Sequence, residues 1–500
     1  MSNIIQVSTH SGKSVRYVNE VIGSGAMKDV YFTEDKKQVV AFYRDAQDSN
    51  SKNRVENITN DYFNSIFNND EGDYWKDYFC WPTDTVTHEG KLGVVLDVYD
   101  DNYFFETGSA NNDMLKIKGK EKEGKWYSTA KNRFKFLAEP ERGNWLNYIQ
   151  VSLKIARAVR RMHAAGLAHS DLSYKNILID PTSGNACIID IDGLVVPGKY
   201  PPDVVGTPDF IAPEVLATSH LDKTDNKRFL PSMHTDRHAL AVLIYQYLLL
   251  RHPLRGDKIH SDDPAEDESK LMGSEALFIE HPKDNSNRLN TTNLKKEEEF
   301  WKNTAKLPYK ITGPYLSALF ERAFVDGLHS PKKRPSAADW ELALTKTIDL
   351  LQPCQNSNCK EEWYVFDNST QPKCPFCGTT YKGQLPVLNL YYSQNGKDFR
   401  LENHRLMVYK DQSLFAWHIN RSIVPNERLK KKDSERLGYF VEHNNAWYLV
   451  NEKVSNLFLH KGSDKQPVGK GQHIKLESGI NISFGSGTSM RMFSVQMVSS

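Results

Sequence analysis

The chain has 500 residues, and its 64 basic and 63 acidic side chains leave a net charge of +1 at pH 7. With 39% hydrophobic and 25% charged residues, it has the composition of a globular protein of two to four domains. The near-zero charge argues against nucleic acid and anionic membranes as partners. The chain has no apolar run that could span a bilayer and no secretory signal at its N-terminus, so we expect a cytoplasmic protein.

The first functional pattern is a glycine-rich turn between two predicted strands, residues 21–31 (VIGSGAMKDVY). Gly23 and Gly25 lack side chains, which lets backbone amides approach phosphate groups closely. Lys28 follows Gly25 by three residues and adds a cation to the turn. The pattern fits either an ordinary turn with a surface lysine or a loop that binds phosphate.

Alternating and helical spacings outline the next part of the chain. Residues 38–44 (QVVAFYR) and 91–99 (KLGVVLDVY) are typical of strands, whereas the apolar residues of 51–67 recur at helical spacing. Residues 101–143 are polar and irregular, and we predict an inserted surface loop or mobile flap there. Residues 145–162 predict a long helix.

The functional interpretation depends most on residues 169–193 (HSDLSYKNILIDPTSGNACIIDIDG). Asp171, Asn176 and Asp190 occur there in the order that phosphoryl transfer needs. One carboxylate orients the attacking hydroxyl and accepts its proton, while an amide and a second carboxylate hold Mg²⁺. The apolar runs between these residues predict a short hairpin with the polar groups at its ends.

This stretch resembles the catalytic loop and metal-binding motif of the eukaryotic-type protein kinases. Residues 169–171 (HSD) stand where the family has His-Arg-Asp, Asn176 stands at its metal-binding Asn, and residues 190–193 (DIDG) stand where it has Asp-Phe-Gly. By the resemblance, Asp192 is either a second metal ligand or a turn residue. ATP and Mg²⁺ or Mn²⁺ are the implied cofactors, and proteins are the implied substrates.

The resemblance extends over roughly residues 15–350 and implies the bilobal α+β fold of the protein kinases. The N-terminal lobe is expected at 1–100. The C-terminal lobe is expected at 101–352, with the insertion at 101–143. We expect transfer of the γ-phosphate of ATP to Ser or Thr hydroxyls.

One position departs sharply from the family pattern. The strand lysine that bridges the phosphates is missing, because Tyr43 stands where the pattern Val-Ala-x-Lys requires it. In one interpretation the chain is a pseudokinase, a signalling scaffold without transfer activity. In the other, Lys28 reaches the same site from the adjacent strand, as in the similar with-no-lysine kinases. Arg44 is the reserve candidate, reached by a bulge or register shift.

The resemblance implies further roles for single residues. Glu56 is expected to pair with the phosphate-binding cation, with Asp61 as the alternative. Backbone groups from Asp97 to Tyr99 are expected to meet the adenine. Ala41 is placed in the nucleotide site, and Lys175 is either a γ-phosphate contact or a surface lysine.

Later motifs complete the resemblance. Residues 206–214 (GTPDFIAPE) resemble the substrate-positioning end of a kinase activation segment, which favours protein substrates over small molecules. The Gly-Thr-Pro triplet favours Ser/Thr over Tyr. Asp236 resembles the buried Asp that braces the catalytic loop, and Arg334 resembles the Arg that pairs with Glu214.

A four-cysteine cluster follows at residues 353–383. The spacings C-x₄-C and C-x₂-C, with no secretion signal, predict structural Zn²⁺ rather than disulfides. The segment resembles a closed, non-catalytic zinc ribbon. The four proposed ligands are Cys354, Cys359, Cys374 and Cys377.

Residues 384–500 show short alternating segments separated by Gly, Asn and Lys turns, which predict an all-β sandwich. The region resembles a degenerate forkhead-associated domain, which implies a phosphoprotein or phosphatase partner. Arg421, Ser434 and Asn456 stand at its phosphate-contacting and loop positions. The predicted strands are 399–408, 414–419, 438–441, 447–450, 474–476, 480–484 and 492–497.

This combination of modules resembles bacterial kinases of the phosphorylation triad associated with tellurium resistance. On that resemblance we expect a role in bacterial stress signalling. The expectation rests on architecture alone.

Overall fold

The computed structural model describes residues 3–25, 27–68, 71–196, 199, 206–222, 224–292, 294–368, 371–395, 398–485 and 490–499. The chain divides into two compact units. Unit 1 comprises residues 1–143, 147–309 and 318–341, and unit 2 comprises 144–146, 310–317 and 342–500. The predicted zinc ribbon and β-sandwich therefore fall in the same unit.

The N-terminal part of unit 1 is built on an antiparallel five-stranded sheet in the order β3-β4-β5-β7-β6. The predicted strands over 38–44 and 91–99 are present as β5 and β7. The strands of unit 1 are β1 (Ile4–Ser8), β2 (Ser14–Val18), β3 (Gly23–Ser24), β4 (Lys28–Phe32), β5 (Gln38–Tyr43), β6 (Asp84–His88), β7 (Lys91–Asp97), β8 (Ile177–Asp180) and β9 (Asn185–Ile188).

A hairpin that the sequence analysis missed covers one face of this sheet. Its strands, β1 and β2, bury Val7 and Tyr17 against Val40, Phe42 and Val86. Residues on the opposite face, among them the buried Tyr43, face the inside of the unit.

Polar side chains cap the N-terminal ends of some of the helices. The carboxylate of Asp48 accepts the Ser51 N–H at 2.7 Å at the start of α1, and Ser232 and Thr235 form a capping box at the start of α7. The helices are α1 (Ser49–Asn57), α2 (Phe63–Phe67), α3 (Gly72–Lys76), α4 (Ala110–Asp113), α5 (Trp145–Ala164), α6 (Pro213–Ala217), α7 (Met233–Leu249), α8 (Pro264–Met272), α9 (Lys296–Lys302), α10 (Gly313–Glu321) and α11 (Ala337–Ile348).

Two predicted helices are confirmed. The spacing over 51–67 corresponds to α1 and α2, which a π-helical turn at Ile58–Tyr62 joins. The spacing over 145–162 corresponds to α5. In the described part of the chain, none of the helices combines the length and the apolar character needed to cross a membrane.

The prediction of an inserted surface loop or mobile flap over 101–143 is wrong, because the segment packs into unit 1. The backbone carbonyl of Lys122 accepts the N–H of Ile179 at 2.9 Å, so the segment pairs with strand β8. The Lys122 ammonium and the Glu141 carboxylate form an ion pair at 3.1 Å with side chains only 6% and 3% exposed. Phe105 is also buried. The sequence analysis did not predict this packing, because the buried residues of the segment follow neither strand nor helix periodicity.

Unit 2 contains two antiparallel sheets that share one apolar core, which fits the predicted sandwich. The sheet orders are β13-β12-β21-β20-β17-β18 and β14-β15-β16-β19. The remaining elements are β10 (Leu351–Pro353), β11 (Trp363–Val365), β12 (Gln384–Ser393), β13 (Arg400–Met407), β14 (Ser413–Leu414), α12 (Ala416–Ile419), β15 (Gly438–His443), β16 (Ala446–Asn451), β17 (Leu457–Lys461), β18 (Asp464–Pro467), β19 (His473–Lys475), β20 (Asn481–Phe484) and β21 (Met490–Ser499).

The predicted strand over 414–419 is wrong in its second half. Residues 413–414 pair as strand β14, and residues 416–419 form the helix α12. The Nδ1 atom of His418 accepts the N–H of Phe415 at 3.1 Å and caps the helix. A side chain three residues away thus replaces the strand partner that the local pattern suggested.

A buried carboxylate organises the end of α11 and the first sheet of unit 2. Asp349 Oδ2 lies 2.6 Å from His404 Nε2, and Asp349 Oδ1 lies 3.4 Å from His418 Nε2. Burial alone would raise the pKa of the Asp349 carboxyl, but the attraction of His418 and His404 outweighs it and holds that pKa well below its usual range. The folded state therefore favours the ionised carboxylate.

We expect Asp349→Asn to destabilise unit 2 by about 3 kcal/mol at pH 7, because it removes a buried carboxylate that bonds to both His404 and His418. A carboxyl whose pKa is lower in the folded state contributes stability above its unfolded pKa of about 3.9 and loses it as the pH falls below that value. Thermal unfolding of both proteins at pH 7 and pH 3.5 tests this. Asp464→Asn, at an exposed hairpin position, is the control. An equal difference at both pH values would contradict the prediction.

Candidate active site

The catalytic loop is held by a buried carboxylate from helix α7. Asp236, which is 1% exposed, accepts the backbone N–H of His169 at 2.8 Å and also bonds to His163 at 3.0 Å. The ring of His169 bonds to the carbonyl of Ile189 at 3.0 Å. The expected role of Asp236 as the brace of the catalytic loop is confirmed.

The carboxylate of Asp171 is fixed at both oxygens. Oδ1 accepts the backbone N–H of Thr207 at 2.6 Å, and Oδ2 accepts the side-chain amide of Asn176 at 3.1 Å. The same amide donates to the Asp171 carbonyl at 2.9 Å. The backbone carbonyl of Asn176 accepts the N–H of Ile189 at 3.0 Å, which joins the catalytic loop to the end of β9. Asp171 and Asn176 therefore lie together, and Asn176 also bonds to Ile189, the residue before Asp190.

The backbone is unusual at three points around this carboxylate. Ser170 and Asp190 adopt left-handed conformations at φ values of 62° and 60°, and Gly206 has a φ of 116°. An added Cβ at Gly206 would lie 3.1 Å from the carbonyl of Ser170. Left-handed conformations of non-glycine residues cost energy and concentrate at functional sites.

The ammonium of Lys28 reaches the loop that follows β9. It lies 2.9 Å from Oδ1 of Asp190 and 2.7 Å from Oδ1 of Asp192. Attraction to Lys28 lowers the pKa of Asp190. The hydroxyl of Tyr43 donates to Asp192. The expected lysine position, Tyr43, and the proposed replacement, Lys28, therefore lie at the same site.

Arg44 lies elsewhere and binds the glycine-rich turn itself. Its Nε donates to Asp29 at 3.0 Å, and its terminal NH₂ donates to the carbonyl of Gly25 at 2.7 Å. An added Cβ at Gly23 would lie 3.9 Å from the Cβ of Val30, and one at Gly25 would lie 3.8 Å from the carbonyl oxygen of Lys28, which are ordinary contact distances. The packing of the protein itself therefore does not require glycine at either position.

The expected ion pair between Glu56 and the phosphate-binding cation is not found among the described residues. The carboxylates that hold Lys28 are those of Asp190 and Asp192. Glu56 lies on α1 and is half-buried without a salt bridge in the described structure, and the alternative, Asp61, has none either. The loop carboxylates take the place of a helix carboxylate because Lys28 approaches from β4 rather than β5.

The segment expected to meet the adenine follows β7. Tyr99 makes no backbone hydrogen bond with the described residues, so its N–H and carbonyl are available. Outside the sheet pairing, the carbonyl of Asp97 accepts a weak bond from the thiol of Cys80 at 3.8 Å and no other bond from the described residues. Ala41 is buried between Val30 and Val94 in the sheet. Lys175 is exposed and forms no ion pair in the described part of the chain.

A buried ion pair anchors the motif at residues 206–214. The guanidinium of Arg334 donates to Glu214 at 2.8 and 2.7 Å, and the Arg334 side chain is fully buried. The expected pairing of these residues is confirmed. Much of the segment before the motif, 197–198 and 200–205, lies outside the described residues.

The four clustered cysteines of unit 2 meet at one point. Their sulfur atoms all lie within 4.8 Å of one another. The Sγ atoms of Cys354 and Cys377 are 3.5 Å apart, and those of Cys359 and Cys374 are 3.8 Å apart, too far for disulfide bonds. The strands β10 and β11 and the turn at 374–379 bring them together.

Arg421, Ser434 and Asn456, the predicted phosphate-site residues of the sandwich, lie at its surface. The guanidinium of Arg421 stacks on the ring of Tyr392 at 3.9 Å. The hydroxyl of Ser434 donates to the carbonyl of Lys431 at 2.8 Å. Asn456 is exposed, and its carbonyl accepts the N–H of Gly485 at 2.9 Å.

The sequence analysis missed two contributors to the active site. Thr207 orients Asp171 through its backbone, and its hydroxyl lies 3.2 Å from that of Ser173. Tyr43 was treated only as a missing lysine. Counting residues across the β4–β5 hairpin would have placed Tyr43 opposite Lys28. No local signal connects Thr207 to Asp171.

A family model, the protein kinase domain, matches residues 131–339. The matched range contains the catalytic loop, the metal loop and the Glu214–Arg334 pair. Residues 131–339 therefore belong to a protein kinase domain. The kinase resemblance is thus confirmed for these residues, whereas the glycine-rich turn with Lys28 precedes the match.

Relatives with kinase names match parts of the chain. A dual serine/threonine and tyrosine protein kinase of Apis mellifera is 33% identical over 81 residues, which are 16% of this chain and 8% of that protein. The serine/threonine-protein kinase PknD of Chlamydia abortus is 31% identical over 140 residues, which are 23% of this chain and 14% of that protein. The chain therefore spans at most 14% of the length of these two relatives.

A solved structure, the specific rhoptry antigen kinase domain of Toxoplasma gondii, overlaps with 69% of this chain and 86% of that chain. The sequence identity is 14% and the TM-score is 0.40. A similarity of this size carries no information on function.

Proposed function

We propose that the kinase domain is active and transfers the γ-phosphate of ATP to Ser or Thr hydroxyls of proteins. The observation that carries the proposal is the joint position of Asp171, Asn176 and Asp190, with Lys28 bound at the last of them. These are the groups that phosphoryl transfer requires.

Asp171 orients the substrate hydroxyl and accepts its proton as the hydroxyl oxygen forms a bond to the γ-phosphorus. The bond from that phosphorus to the bridging oxygen breaks, and ADP leaves with the electron pair. The bonds from Thr207 and Asn176 keep the Asp171 carboxylate in one orientation, which supports this role.

The residues around Asp190 fit a magnesium ion. Asn176 uses its amide nitrogen to bind Asp171, which leaves its amide oxygen without a partner among the described residues. Oδ2 of Asp190 also has no hydrogen bond in the described structure. Carboxylate and amide oxygens are the ligands that Mg²⁺ and Mn²⁺ prefer. When bound, the ion neutralises charge on the phosphates.

The nucleotide site is proposed between the glycine-rich turn and the segment after β7. The free backbone groups of Tyr99 support adenine binding there. The glycines of the turn, which the protein's own packing does not require, support close approach of phosphates. Lys28 is proposed to bind these phosphates, and the exposed Lys175 to contact the γ-phosphate.

A second candidate function is a signalling scaffold that binds nucleotide without transferring phosphate. Tyr43 in place of the strand lysine favours it, as does the neutralisation of Lys28 by two carboxylates. The two functions predict opposite results in a transfer assay.

The four cysteines are proposed to hold a structural zinc ion. Zn–S bonds of about 2.3 Å in a tetrahedron place the sulfurs about 3.8 Å apart. The separations of 3.5 and 3.8 Å fit this geometry.

The β-sandwich that follows is proposed to be a forkhead-associated-like module. It would bind a phosphoprotein or phosphatase partner in bacterial stress signalling. Its exposed Arg421 is the group for phosphate.

The test of the kinase function is transfer of radiolabelled γ-phosphate from ATP with Mg²⁺, comparing the unmodified chain with Lys28→Ala and Arg44→Ala. We expect Lys28→Ala to lower kcat/KM by about 10²-fold or more, because it removes a phosphate-binding cation. Arg44→Ala is expected to have an effect below about tenfold, because Arg44 binds only the turn. Nucleotide binding without transfer by the unmodified chain would support the scaffold. A larger loss in Arg44→Ala would contradict the role of Lys28.

A further inference from the structure

The ammonium of Lys28 has two unequal carboxylate partners. Its Nζ atom lies 2.7 and 2.8 Å from the two oxygens of Asp192 and 2.9 Å from one oxygen of Asp190. The side chain of Asp192 is 1% exposed, whereas that of Asp190 is 47% exposed. The main partner of Lys28 is therefore the buried carboxylate.

Tyr43 completes this arrangement from the neighbouring strand. Lys28 and Tyr43 are directly opposed in the pairing of β4 with β5, which puts both side chains on one face of the sheet. The hydroxyl of Tyr43 donates to Oδ2 of Asp192, and Lys28 Nζ lies 5.3 Å from the centre of the Tyr43 ring. The residue at the missing-lysine position thus binds the carboxylate that holds Lys28.

We propose that Asp192 and Tyr43 are positioning residues that fix Lys28 for phosphate binding, and that Asp190 is the carboxylate of this loop that binds metal. This assignment rests on the proposed kinase function. Within that site, Asp192 and Tyr43 position the lysine, and Asp190 binds the metal ion. Asp192 takes the role that Glu56 was expected to have.

The hydrogen bonds distinguish the roles of Asp192 and Asp190. One oxygen of Asp192 bonds to Lys28 and the other bonds to both Lys28 and Tyr43. A magnesium ion keeps several of its waters, and a 1% exposed carboxylate with both oxygens engaged offers it no approach. Asp190 is half-exposed and keeps one oxygen free of the described residues.

The Lys28–Asp192 pair is stable because neither group can be buried alone. A buried charge without a partner is strongly destabilising. The contacts of 2.7 and 2.8 Å to Asp192 and of 2.9 Å to Asp190 give the Lys28 ammonium two carboxylate partners at this site.

The anchor of the lysine lies on the metal loop and not on helix α1. Asp192 belongs to the short turn at Ile191–Gly193, two residues after Asp190. The position of Lys28 is therefore set by the same loop that presents the metal-binding carboxylate.

The first test uses Tyr43→Phe, which removes one hydroxyl and keeps the ring. Tyr31→Phe is the matched control, since Tyr31 lies on β4 with its ring on the opposite face. We expect Tyr43→Phe to lower kcat/KM for ATP about tenfold, mainly through KM, and the Mg²⁺ concentration for half-maximal rate to stay unchanged. Equal constants in the two variants would overturn the role of Tyr43.

The second test uses Asp192→Asn beside Asp190→Asn, with folding checked by circular dichroism. Asp192→Asn is expected to lower kcat/KM for ATP about 10²-fold without changing the Mg²⁺ requirement, and Asp190→Asn to abolish transfer. A raised Mg²⁺ requirement in Asp192→Asn would make Asp192 a metal ligand and overturn the proposal. If Asp192→Asn does not fold, the Tyr43→Phe comparison decides.

A lysine exchange provides a gain-of-function test. The Tyr43 hydroxyl already reaches Asp192, so a lysine at position 43 has the length to bind the same carboxylate. We expect Lys28→Ala combined with Tyr43→Lys to regain at least about tenfold in kcat/KM over Lys28→Ala alone. Absence of recovery in a folded double variant would overturn the proposed anchor.

Failure of the kinase function itself gives a different result. If the unmodified chain transfers no phosphate, ATP affinity is compared by calorimetry in the unmodified chain, Tyr43→Phe and Tyr31→Phe. Weaker binding in Tyr43→Phe alone would keep the positioning role while the kinase function fails. Equal ATP affinities in all three proteins would overturn both the positioning role of Tyr43 and the kinase function.

Discussion

Replacement of Asp171 by Asn will lower the rate of γ-phosphate transfer by about 10³-fold and leave ATP affinity within about threefold. The asparagine keeps the size of the side chain, but it cannot accept the proton of the substrate hydroxyl. Asp171 contacts Thr207 and Asn176 rather than the proposed nucleotide site, so binding of ATP is expected to persist. Initial rates with radiolabelled ATP and calorimetric titration measure the two quantities separately.

The matched control is Asp222→Asn, because the hydrogen bonds of the Asp222 carboxylate within the described residues come from Thr224 in a local turn. Its transfer rate should equal that of the unmodified chain. Undiminished transfer in Asp171→Asn would remove Asp171 from the mechanism. A parallel loss of ATP affinity would indicate a disturbed fold and not a lost proton acceptor.

The purified chain will contain about one zinc ion per molecule, and Cys374→Ser will lose it. Cys374 is completely buried, and its sulfur lies 3.8 Å from that of Cys359. Structural zinc contributes directly to folding free energy, by about 10–16 kcal/mol in isolated zinc-finger peptides. We expect the thermal unfolding midpoint of unit 2 to fall by about 10 °C or more in the variant.

Metal content by mass spectrometry and calorimetric unfolding measure these effects. Cys80→Ser is the control, because Cys80 lies in unit 1 and outside the four-cysteine cluster. Its zinc content should stay unchanged. A metal-free chain in which all four clustered thiols react with a thiol reagent, and whose unfolding a chelator does not change, would contradict the zinc site.

The fold and much of the candidate site could be predicted where the relevant residues are close in sequence. Asp171, Asn176 and Asp190 lie within twenty residues, so one hairpin brings them together. The cysteines lie within 24 residues and have spacings that only a few structures explain. The strands of unit 2 alternate with period two, and the error at 414–419 arose where a side chain capped a helix instead.

Contacts between distant segments required the tertiary structure. Lys28 and Asp192 are 164 residues apart, and no local pattern favours Asp192 over Glu56 as the partner. The choice between Lys28 and Arg44 depended on strand register, because neighbouring residues of a strand point to opposite faces. The packing of 101–143 against β8 likewise has no periodic signal.

The sequence by itself therefore determined the chemical groups of this protein, the kinase loop and the four cysteines, since their order and spacing are encoded locally. The tertiary structure alone decided which carboxylate holds the lysine, how the inserted segment packs and how Asp349 joins His404 and His418. The physical reason is that a buried charge is stabilised by whichever opposite charge the fold brings within about 3 Å, whatever their separation along the chain.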